Sequence, residues 1–151
     1  MTAYTLDRNL AAKTARNDGI NKEWVFGANN GIIRTTHDHI AYDKDSDFTI
    51  NGIGYSVKSS AFTLMSGCLC EGLKEFDEII DLYRSKVHST RFAYVTDEYV
   101  AYVMNMDEFE EFLRAFARTE RESSKNGGAT KIRCRKESAK MREWLAEKSA
   151  A

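Results

Sequence analysis

An aspartate, a serine and a lysine flank a tight turn in the first half of the chain. In the stretch Asp-Phe-Thr-Ile-Asn-Gly-Ile-Gly-Tyr-Ser-Val-Lys, residues 47–58, polar and apolar residues alternate around a central Asn-Gly pair. Alternation predicts β-strands, and Asn-Gly is a strong signal for a two-residue hairpin turn. Counting outward from the turn places Asp47 opposite Ser56 and diagonal to Lys58. A carboxylate and an ammonium about 7 Å apart at Cβ can bracket a metal ion and a scissile phosphate.

The same register sorts the side chains of the hairpin onto two faces. The polar face, with Asp47, Ser56 and Lys58, also receives Asp45, which lies opposite Lys58. This face has two interpretations: a solvent-exposed surface whose ion pair contributes about 0–1 kcal/mol, or a site. The apolar face, which we expect to pack on a helix, carries Phe48, Ile50, Ile53, Tyr55 and Val57.

Helical and strand patterns alternate along the rest of the chain. A stripe from Leu69 to Val87 has helical spacing, and Asn105 with Glu108 predicts a capping box. This order predicts an α/β fold, a mixed central β-sheet flanked by α-helices. In the first half we predict a helix at 7–24 with a break at Asp18-Gly19 as an alternative, a loop at 27–31, a strand at 32–42 and a hairpin at 47–60. A helix at 69–87 and strands at 91–96 and 99–104 follow, and then a helix after Asn105 that buries Phe109, Phe112, Leu113 and Phe116. The chain continues with a loop at 122–129 and, within about 129–151, a basic segment and a last helix carrying Met141, Trp144 and Leu145.

Composition restricts the class of protein. A chain of 151 residues suits a single domain. No apolar run approaches the roughly 20 residues that a membrane span needs, and the first residues do not form a basic-then-apolar leader, so we expect a cytoplasmic protein without membrane contact. The cysteines, Cys68, Cys70 and Cys134, include no Cys-x-x-Cys pair. This spacing argues against a disulfide framework, and against structural zinc even with His37 and His39 nearby.

Around Asp47 and Lys58 the sequence resembles the PD-(D/E)xK nuclease superfamily. The core of that superfamily places an Asp on one strand and an acid-x-Lys triplet on the paired strand, and the predicted element order over residues 7–104 matches it. Two positions depart from the pattern: Ser46 stands where proline is common, and Ser56 stands where the triplet has its acid. A subgroup of type II restriction endonucleases has the same Ser-x-Lys and takes the missing carboxylate from the following helix.

The resemblance implies a restriction endonuclease-like fold and Mg²⁺-dependent hydrolysis of phosphodiester bonds in DNA. Twelve residues separate Lys58 from Glu71, a spacing similar to that of the relocated acid. Asp47 and Glu71 are therefore expected to bind Mg²⁺, as one ion or two. Lys58, in the motif with Ser56, is expected to orient the attacking water or to neutralise developing charge. Glu75, one turn further along the helix, is the competing acid.

A glutamate on the first helix is a further candidate ligand. Members of the superfamily often carry one that reaches the site, and Glu23 is the corresponding residue near the end of the predicted first helix. The alternative interpretation is a surface glutamate beside Trp24. The two histidines flanking Asp38 are interpreted as a satisfied or solvated pair.

Basic residues are concentrated near the end of a chain whose net charge is −1. A nucleic-acid partner needs such a local patch. The segment is either a row of phosphate contacts to DNA or a solubilising tail opposite the acidic helix at 107–111. The expected DNA contacts are Lys131, Arg133, Arg135 and Lys136, and the same segment also contains Glu137, Lys140 and Arg142.

Two functions remain open at this stage. The first is a small endonuclease, expected to act as a homodimer if both DNA strands are cut, because the chain has little room for a separate recognition domain. The second is a catalytically inactive protein with a nuclease fold that binds nucleic acid or a protein partner. The first is the interpretation that we adopt, and the absence of an acid at Ser56 and the near-neutral net charge support the second as its alternative.

Overall fold

The computed structural model describes residues 1–35, 46–64, 75–86, 90–121 and 130–150. The helices are α1 (Asp18–Asn29), α2 (Phe76–Lys86), α3 (Met106–Phe116) and α4 (Ala139–Ala150), with a short 3-10 helix at Arg8–Leu10. The strands are β1 (Thr2–Thr5), β2 (Phe48–Ile50), β3 (Ile53–Lys58), β4 (Thr63–Leu64), β5 (Arg91–Val95), β6 (Val100–Met104), β7 (Ala117–Arg121) and β8 (Thr130–Cys134).

The main sheet has five strands in the order β1-β6-β5-β3-β2. It is mixed, because β3 and β5 run parallel whereas the other neighbours are antiparallel. Side chains of β5 alternate between two cores, as expected for a central strand. Phe92 and Tyr94 pack in the core that contains the α2 and α3 side chains, and Ala93 and Val95 pack in the core that contains α1. The predicted α/β fold with a mixed sheet and flanking helices is confirmed.

A second sheet has three strands in the order β4-β8-β7. In β8, Thr130, Ile132 and Cys134 are buried, whereas Lys131 and Arg133 lie on the opposite face. Ile132 and Cys134 join the same core as Phe92. The predicted basic segment is therefore a strand with one face on the core. The pairing of β8 with β7 was not expected from the sequence.

The predicted hairpin is confirmed, and its register holds between residues 48–50 and 53–55. Phe48 lies opposite Tyr55, and Ile50 lies opposite Ile53. The turn residues Asn51 and Gly52 have φ angles of 52° and 79°, both in the left-handed region that an Asn-Gly turn uses. The apolar face packs on α1, as expected, since the Phe26 ring lies 6.1 Å from the ring of Phe48 and 6.1 Å from that of Tyr55.

The first helix begins and ends later than predicted. Asn17 caps it, because its side chain accepts a hydrogen bond from the N–H of Ile20 at 3.1 Å. The helix starts at Asp18, in agreement with the alternative of a break at Asp18-Gly19, and continues to Asn29. The prediction of a continuous helix from residue 7 and that of a loop over 27–29 were wrong. Gly27 lies inside the helix, where a Cβ atom would come within 2.6 Å of the Phe48 ring. This glycine permits close packing of α1 on the hairpin and does not mark a loop.

Of the remaining predicted elements, the last three helices and the strands at 91–96 and 99–104 agree with the sequence pattern where they are described, whereas the strand at 32–42 does not. The capping box of α3 is present: Asn105 accepts from the Glu108 N–H at 2.8 Å, and Glu108 accepts from the Asn105 N–H at 3.0 Å. The four predicted core residues of α3 are buried. Of the predicted strand at 32–42, residues 32–35 are not a strand and 36–42 lie outside the described residues, as do 69–74 and Val87 of the helix predicted at 69–87.

Candidate nuclease site

Asp47 lies directly before β2 and is held against β3 by two hydrogen bonds. Its N–H donates to the carbonyl oxygen of Tyr55 at 2.8 Å. Its carboxylate accepts from the N–H of Val57 at 2.7 Å. The carboxylate is thus fixed next to the residue that precedes Lys58.

Ser56 and Lys58 lie on the same face of β3, but in different surroundings. Ser56 is only 3% exposed and lies opposite Phe92 of β5, which belongs to a core. The interpretation of the polar face as fully solvent-exposed therefore does not hold at Ser56. Lys58 is the last residue of β3 and is half-buried. Its Nζ lies 5.9 Å from the centre of the Phe62 ring.

Glu23 projects from α1 into the neighbourhood of Asp47 and is not a solvent-exposed surface residue. Its side chain is only 16% exposed, and its Oε1 lies 3.2 Å from Nη1 of Arg34. The other terminal nitrogen of Arg34 donates to the backbone carbonyl of Asp47, and the guanidinium lies 4.0 Å from the centre of the Phe48 ring. Arg34 therefore joins α1 to the start of β2.

The ionisation of Glu23 reports how closely these charges are grouped. Burial raises the pKa of Glu23 to about 7, and the negative charge of Asp47 adds to this rise. The positive charges of Arg34 and Lys58 act in the opposite direction. A carboxylate that responds to all three neighbours belongs to one electrostatic cluster with them. We call the group of Glu23, Arg34, Asp47 and Lys58 the hairpin cluster.

The donor chemistry of the hairpin cluster fits a hard divalent cation. Carboxylate oxygens are the side-chain ligands that Mg²⁺ prefers, and both Asp47 and Glu23 supply them at one place. Among the residues that the structure describes, no three His, Cys, Asp or Glu side chains converge into a complete metal-binding group. Glu71 and Asp45 lie outside the described residues. The same holds for the histidines and cysteines whose spacing argues against zinc, namely His37, His39, Cys68 and Cys70.

Glu75 is exposed directly before α2. Its carbonyl oxygen accepts from the N–H of Ile79 at 3.1 Å, and its own N–H donates to Oε1 of Glu78 at 3.2 Å. The backbone of Glu75 therefore belongs to the first turn of the helix. The structure does not bring this side chain into the hairpin cluster.

The basic segment starts on β8 and continues beyond it. Lys131 and Arg133 lie on the outer face of the strand, and Arg135 and Lys136 follow its end, both exposed. Backbone bonds attach the segment to the chain that follows Lys58, since the N–H of Cys134 donates to the Phe62 carbonyl at 2.9 Å. The predicted phosphate contacts therefore lie on a strand that is hydrogen-bonded near the end of the hairpin.

A buried carboxylate, which the sequence analysis did not single out, fixes the far end of this segment. The side chain of Glu137 has no exposed surface. It accepts from the hydroxyl of Tyr94 at 3.1 Å, from the N–H of Asp97 at 3.1 Å and from Nη1 of Arg142 at 3.3 Å. The N–H of Glu137 donates to Oγ of Ser60 at 2.9 Å. Through its carboxylate and its own N–H, Glu137 thus connects the ends of β3, β5 and β8.

Tyr94 remains a hydrogen-bond donor to this carboxylate over the whole neutral range. Burial raises the pKa of Tyr94 well above its ordinary value, and the charge of Glu137 raises it further. Neither Glu137 nor Arg34 had a sequence signal, because an isolated acid or arginine in a polar stretch has no distinguishing spacing. Their partners lie far away along the chain.

No protein-family model matches the chain, and neither a curated protein nor a solved structure matches it. In the part of the chain that the structure describes, none of the helices combines the length and apolar character required to cross a bilayer.

Proposed function

We propose that this protein is a Mg²⁺-dependent endonuclease that hydrolyses phosphodiester bonds in DNA, on a restriction endonuclease-like core. One observation carries the proposal: Arg34 bridges Glu23 to the carbonyl of Asp47, and the Asp47 carboxylate is hydrogen-bonded to the residue directly before Lys58. These are the residue types that phosphodiester hydrolysis needs, namely oxygen ligands for a hard cation and a positive group beside them.

Asp47 and Glu71 would hold the Mg²⁺ ion, with Glu23 as a further ligand. When bound, the ion lowers the pKa of a water molecule and offsets negative charge on the phosphoryl oxygens. The chain contributes positioning: the Val57 N–H keeps Asp47 in one orientation. Such fixed hydrogen bonds reduce the reorganisation needed when charge develops at the phosphate.

Lys58 would act on the phosphate or on the attacking water. Lys58 is the last residue of β3 and lies opposite Tyr94 of β5, and this strand pairing fixes its backbone. An ammonium at this place neutralises charge as the pentavalent phosphorus forms, and it can donate to the water that attacks. Ser56 cannot supply the charge of the usual acid, and its burial keeps it away from a solvated ion.

Arg34 would compete with a bound cation for Glu23. Its guanidinium already neutralises part of the negative charge of Glu23 and also contacts the Asp47 carbonyl. A divalent cation would therefore bind to a cluster in which Arg34 already neutralises part of the carboxylate charge. This arrangement predicts moderate rather than tight cation binding.

The remaining parts of the proposal concern partners. The substrate would be DNA, contacted by Lys131, Arg133, Arg135 and Lys136, and two copies of the chain would act together where both strands are cut. We place this activity in the cytoplasm, in keeping with the expectation from the sequence.

A second candidate function rests on Ser56. Because this serine replaces the usual acid and is only 3% exposed, a metal site lacking the Glu71 carboxylate would be too weakly charged for catalysis. The chain would then be an inactive nuclease-fold protein that binds nucleic acid or a protein partner.

Plasmid cleavage separates the two functions. We expect supercoiled plasmid to be nicked or linearised in Mg²⁺ but not in EDTA, and Lys58→Ala to abolish the cleavage. Lys148→Ala is the matched control, because Lys148 is an exposed lysine of α4 that is paired with Glu111 of α3. Circular dichroism would check that both variants fold. A Lys58→Ala variant that cuts like the wild type would refute the site, and a wild type that never cuts would favour the second function.

A further inference from the structure

Two arginines face each other across the strand pair β7–β8. Arg118 lies directly opposite Arg133 in the antiparallel register, and Glu120 lies opposite Lys131. Both arginines are exposed, Arg133 with 46% of its side-chain surface. Directly opposed side chains have Cβ atoms about 5 Å apart, and like charges at that separation are destabilising.

The acid on this surface does not remove the positive charge. Glu120 Oε2 lies 3.8 Å from Nε of Arg133 and makes no hydrogen bond in the part of the chain that the structure describes. On the outer face of the strand pair, Glu120 stands against Arg118, Lys131 and Arg133, with Arg135 just beyond. A folded chain that retains such a row carries a repulsion that a bound polyanion would relieve. We call these five residues the basic face.

We propose that the basic face is the surface on which the backbone of duplex DNA rests, with Arg118 as a contact that the sequence does not mark. This inference rests on the proposed nuclease function and names the surface that would hold its substrate. Arg118 lies on a strand of polar residues, Ala-Arg-Thr-Glu-Arg. Only its register opposite Arg133 places it in the row.

Geometry favours phosphates as the occupant. Successive residues on one face of a strand are about 7 Å apart, so Lys131, Arg133 and Arg135 can each contact a different phosphate group. Arginine presents a planar set of donors that matches phosphate oxygens. Contacts of this type position a duplex without reading its sequence.

The composition of the face disfavours a protein partner. Interfaces between proteins have an apolar centre enriched in aromatic residues. Within the described ranges, the large hydrophobic residues that are exposed are Leu10 and Ile33, and neither lies on β7 or β8. A surface of charged residues without an apolar centre fits a polyanion better than another folded chain.

The attachment of the face explains how it would serve the site. β4 begins at Thr63, which lies opposite Arg133 on β8, and only four residues separate Thr63 from Lys58. The buried Glu137 then fixes the end of the segment to Ser60 and to Tyr94. A duplex on the basic face is thereby held at a constant offset from the hairpin.

Binding of a fluorescent duplex in EDTA tests the inference without any cleavage. We expect Arg118→Gln and Arg133→Gln each to weaken binding several-fold, and the double variant to flatten the plot of log K against log salt by about 0.9 per lost contact between about 50 and 200 mM salt. Arg114→Gln is the matched control, since Arg114 is a similarly exposed arginine on α3, paired with Asp77 and Glu110. It should bind like the wild type.

Stability distinguishes a binding role from a structural one. Because Arg118→Gln removes a like-charge repulsion, we expect an unchanged or slightly higher melting temperature together with the weaker binding. A wild-type salt slope in the double variant, an equal loss in Arg114→Gln, or no duplex binding by the wild type at low salt would each overturn the inference. Displacement of the duplex by polyglutamate at equal charge would assign the face to acidic proteins instead and would also overturn it.

The outcome is separable from that of the nuclease proposal. Duplex binding through Arg118 with no cleavage in Mg²⁺ would support the inference about the basic face and refute the nuclease proposal. Cleavage that is independent of Arg118 and Arg133 would support the nuclease proposal and refute the inference about the basic face.

Discussion

The carboxylate of Asp47 accepts a hydrogen bond at 2.7 Å from the N–H of Val57, the residue directly before Lys58. One side-chain bond thus joins the acid of one strand to the triplet of the other. The Asn51-Gly52 turn sets the register that makes this bond possible. The relative positions of Asp47 and Lys58 are therefore determined locally, within twelve residues of chain.

This bond makes Asp47→Asn an informative substitution. The amide oxygen can still accept from Val57, whereas the charge is lost, so we expect Mg²⁺ binding to disappear with a change in unfolding free energy below about 1 kcal/mol. Calorimetric titration with Mg²⁺ and urea unfolding measure the two effects. Asp107→Asn is the control, because Asp107 is an exposed aspartate of α3 that is paired with Arg84 of α2. Normal Mg²⁺ affinity in Asp47→Asn would contradict the proposed ligand.

The second metal ligand is tested by comparing Glu71 with Glu75. Glu71→Gln retains the size of the side chain and removes its charge, so we expect cleavage to fall by about two orders of magnitude or more and more Mg²⁺ to be required. Glu75→Gln should cut like the wild type, since Glu75 is exposed before α2. The opposite result would assign the ligand to Glu75 in place of Glu71. If neither change matters and calorimetry detects no Mg²⁺ binding, the nuclease proposal fails.

The burial of Ser56 alters what a relocated acid can restore. Ser56→Glu in the Glu71→Gln background would place a carboxylate where the residue is 3% exposed. We expect this variant to lose stability, because a buried unpaired charge is costly, and to regain little cleavage. Full recovery of activity with an unchanged melting temperature would show that the end of β3 is more open than the structure indicates.

Gly27→Ala tests the contact between α1 and the hairpin. The added Cβ would come within 2.6 Å of the Phe48 ring, and overpacking of this kind costs about 1–3 kcal/mol. That cost exceeds the gain of up to about 1 kcal/mol in helix propensity. We expect a lower melting temperature and weaker cleavage, because Glu23 moves away from Asp47. Adding Phe48→Leu should recover part of the stability, and a Gly27→Ala variant as stable as the wild type would refute the close packing.

Cys134 provides a pH-dependent test of the second sheet. Burial raises the pKa of its thiol to about 12, so the reactive thiolate remains scarce up to about pH 10. In a Cys68→Ser/Cys70→Ser background we expect very slow reaction with a disulfide reagent at pH 8, and a rate that still increases above pH 9, where an ordinary thiol reaches its plateau. Guanidinium should make the reaction immediate. Fast labelling of the folded protein at pH 8 would mean that β8 does not cover the thiol.

The sequence predicted those elements whose signals are local. The Asn51-Gly52 turn, the Asn105–Glu108 capping box and the apolar stripe of α3 each depend on residues close in the chain. Local hydrogen bonds and side-chain periodicity decide such elements before tertiary packing acts. The candidate pair Asp47 and Lys58 followed from the same local register.

Elements and site residues that depend on packing were missed. Gly27 was interpreted as a loop residue because the sequence does not show that the Phe48 ring approaches it. β7 contains no apolar alternation, and its register opposite β8 is what makes it a strand. Arg34 joins the hairpin cluster through Glu23 and the Asp47 carbonyl, partners that only the folded chain brings together.

The buried Glu137 makes the basic segment non-modular. A surface loop that binds nucleic acid can be exchanged between proteins as a cassette, because its backbone polar groups face water. Here the segment ends in Glu137, whose carboxylate accepts hydrogen bonds from Tyr94, Asp97 and Arg142. Grafting a foreign basic segment, or moving this one into another scaffold, would have to carry those three partners with it. Under the proposed DNA-binding role, affinity for the duplex is therefore expected to vary by replacement of individual exposed side chains, with the main chain of the segment retained.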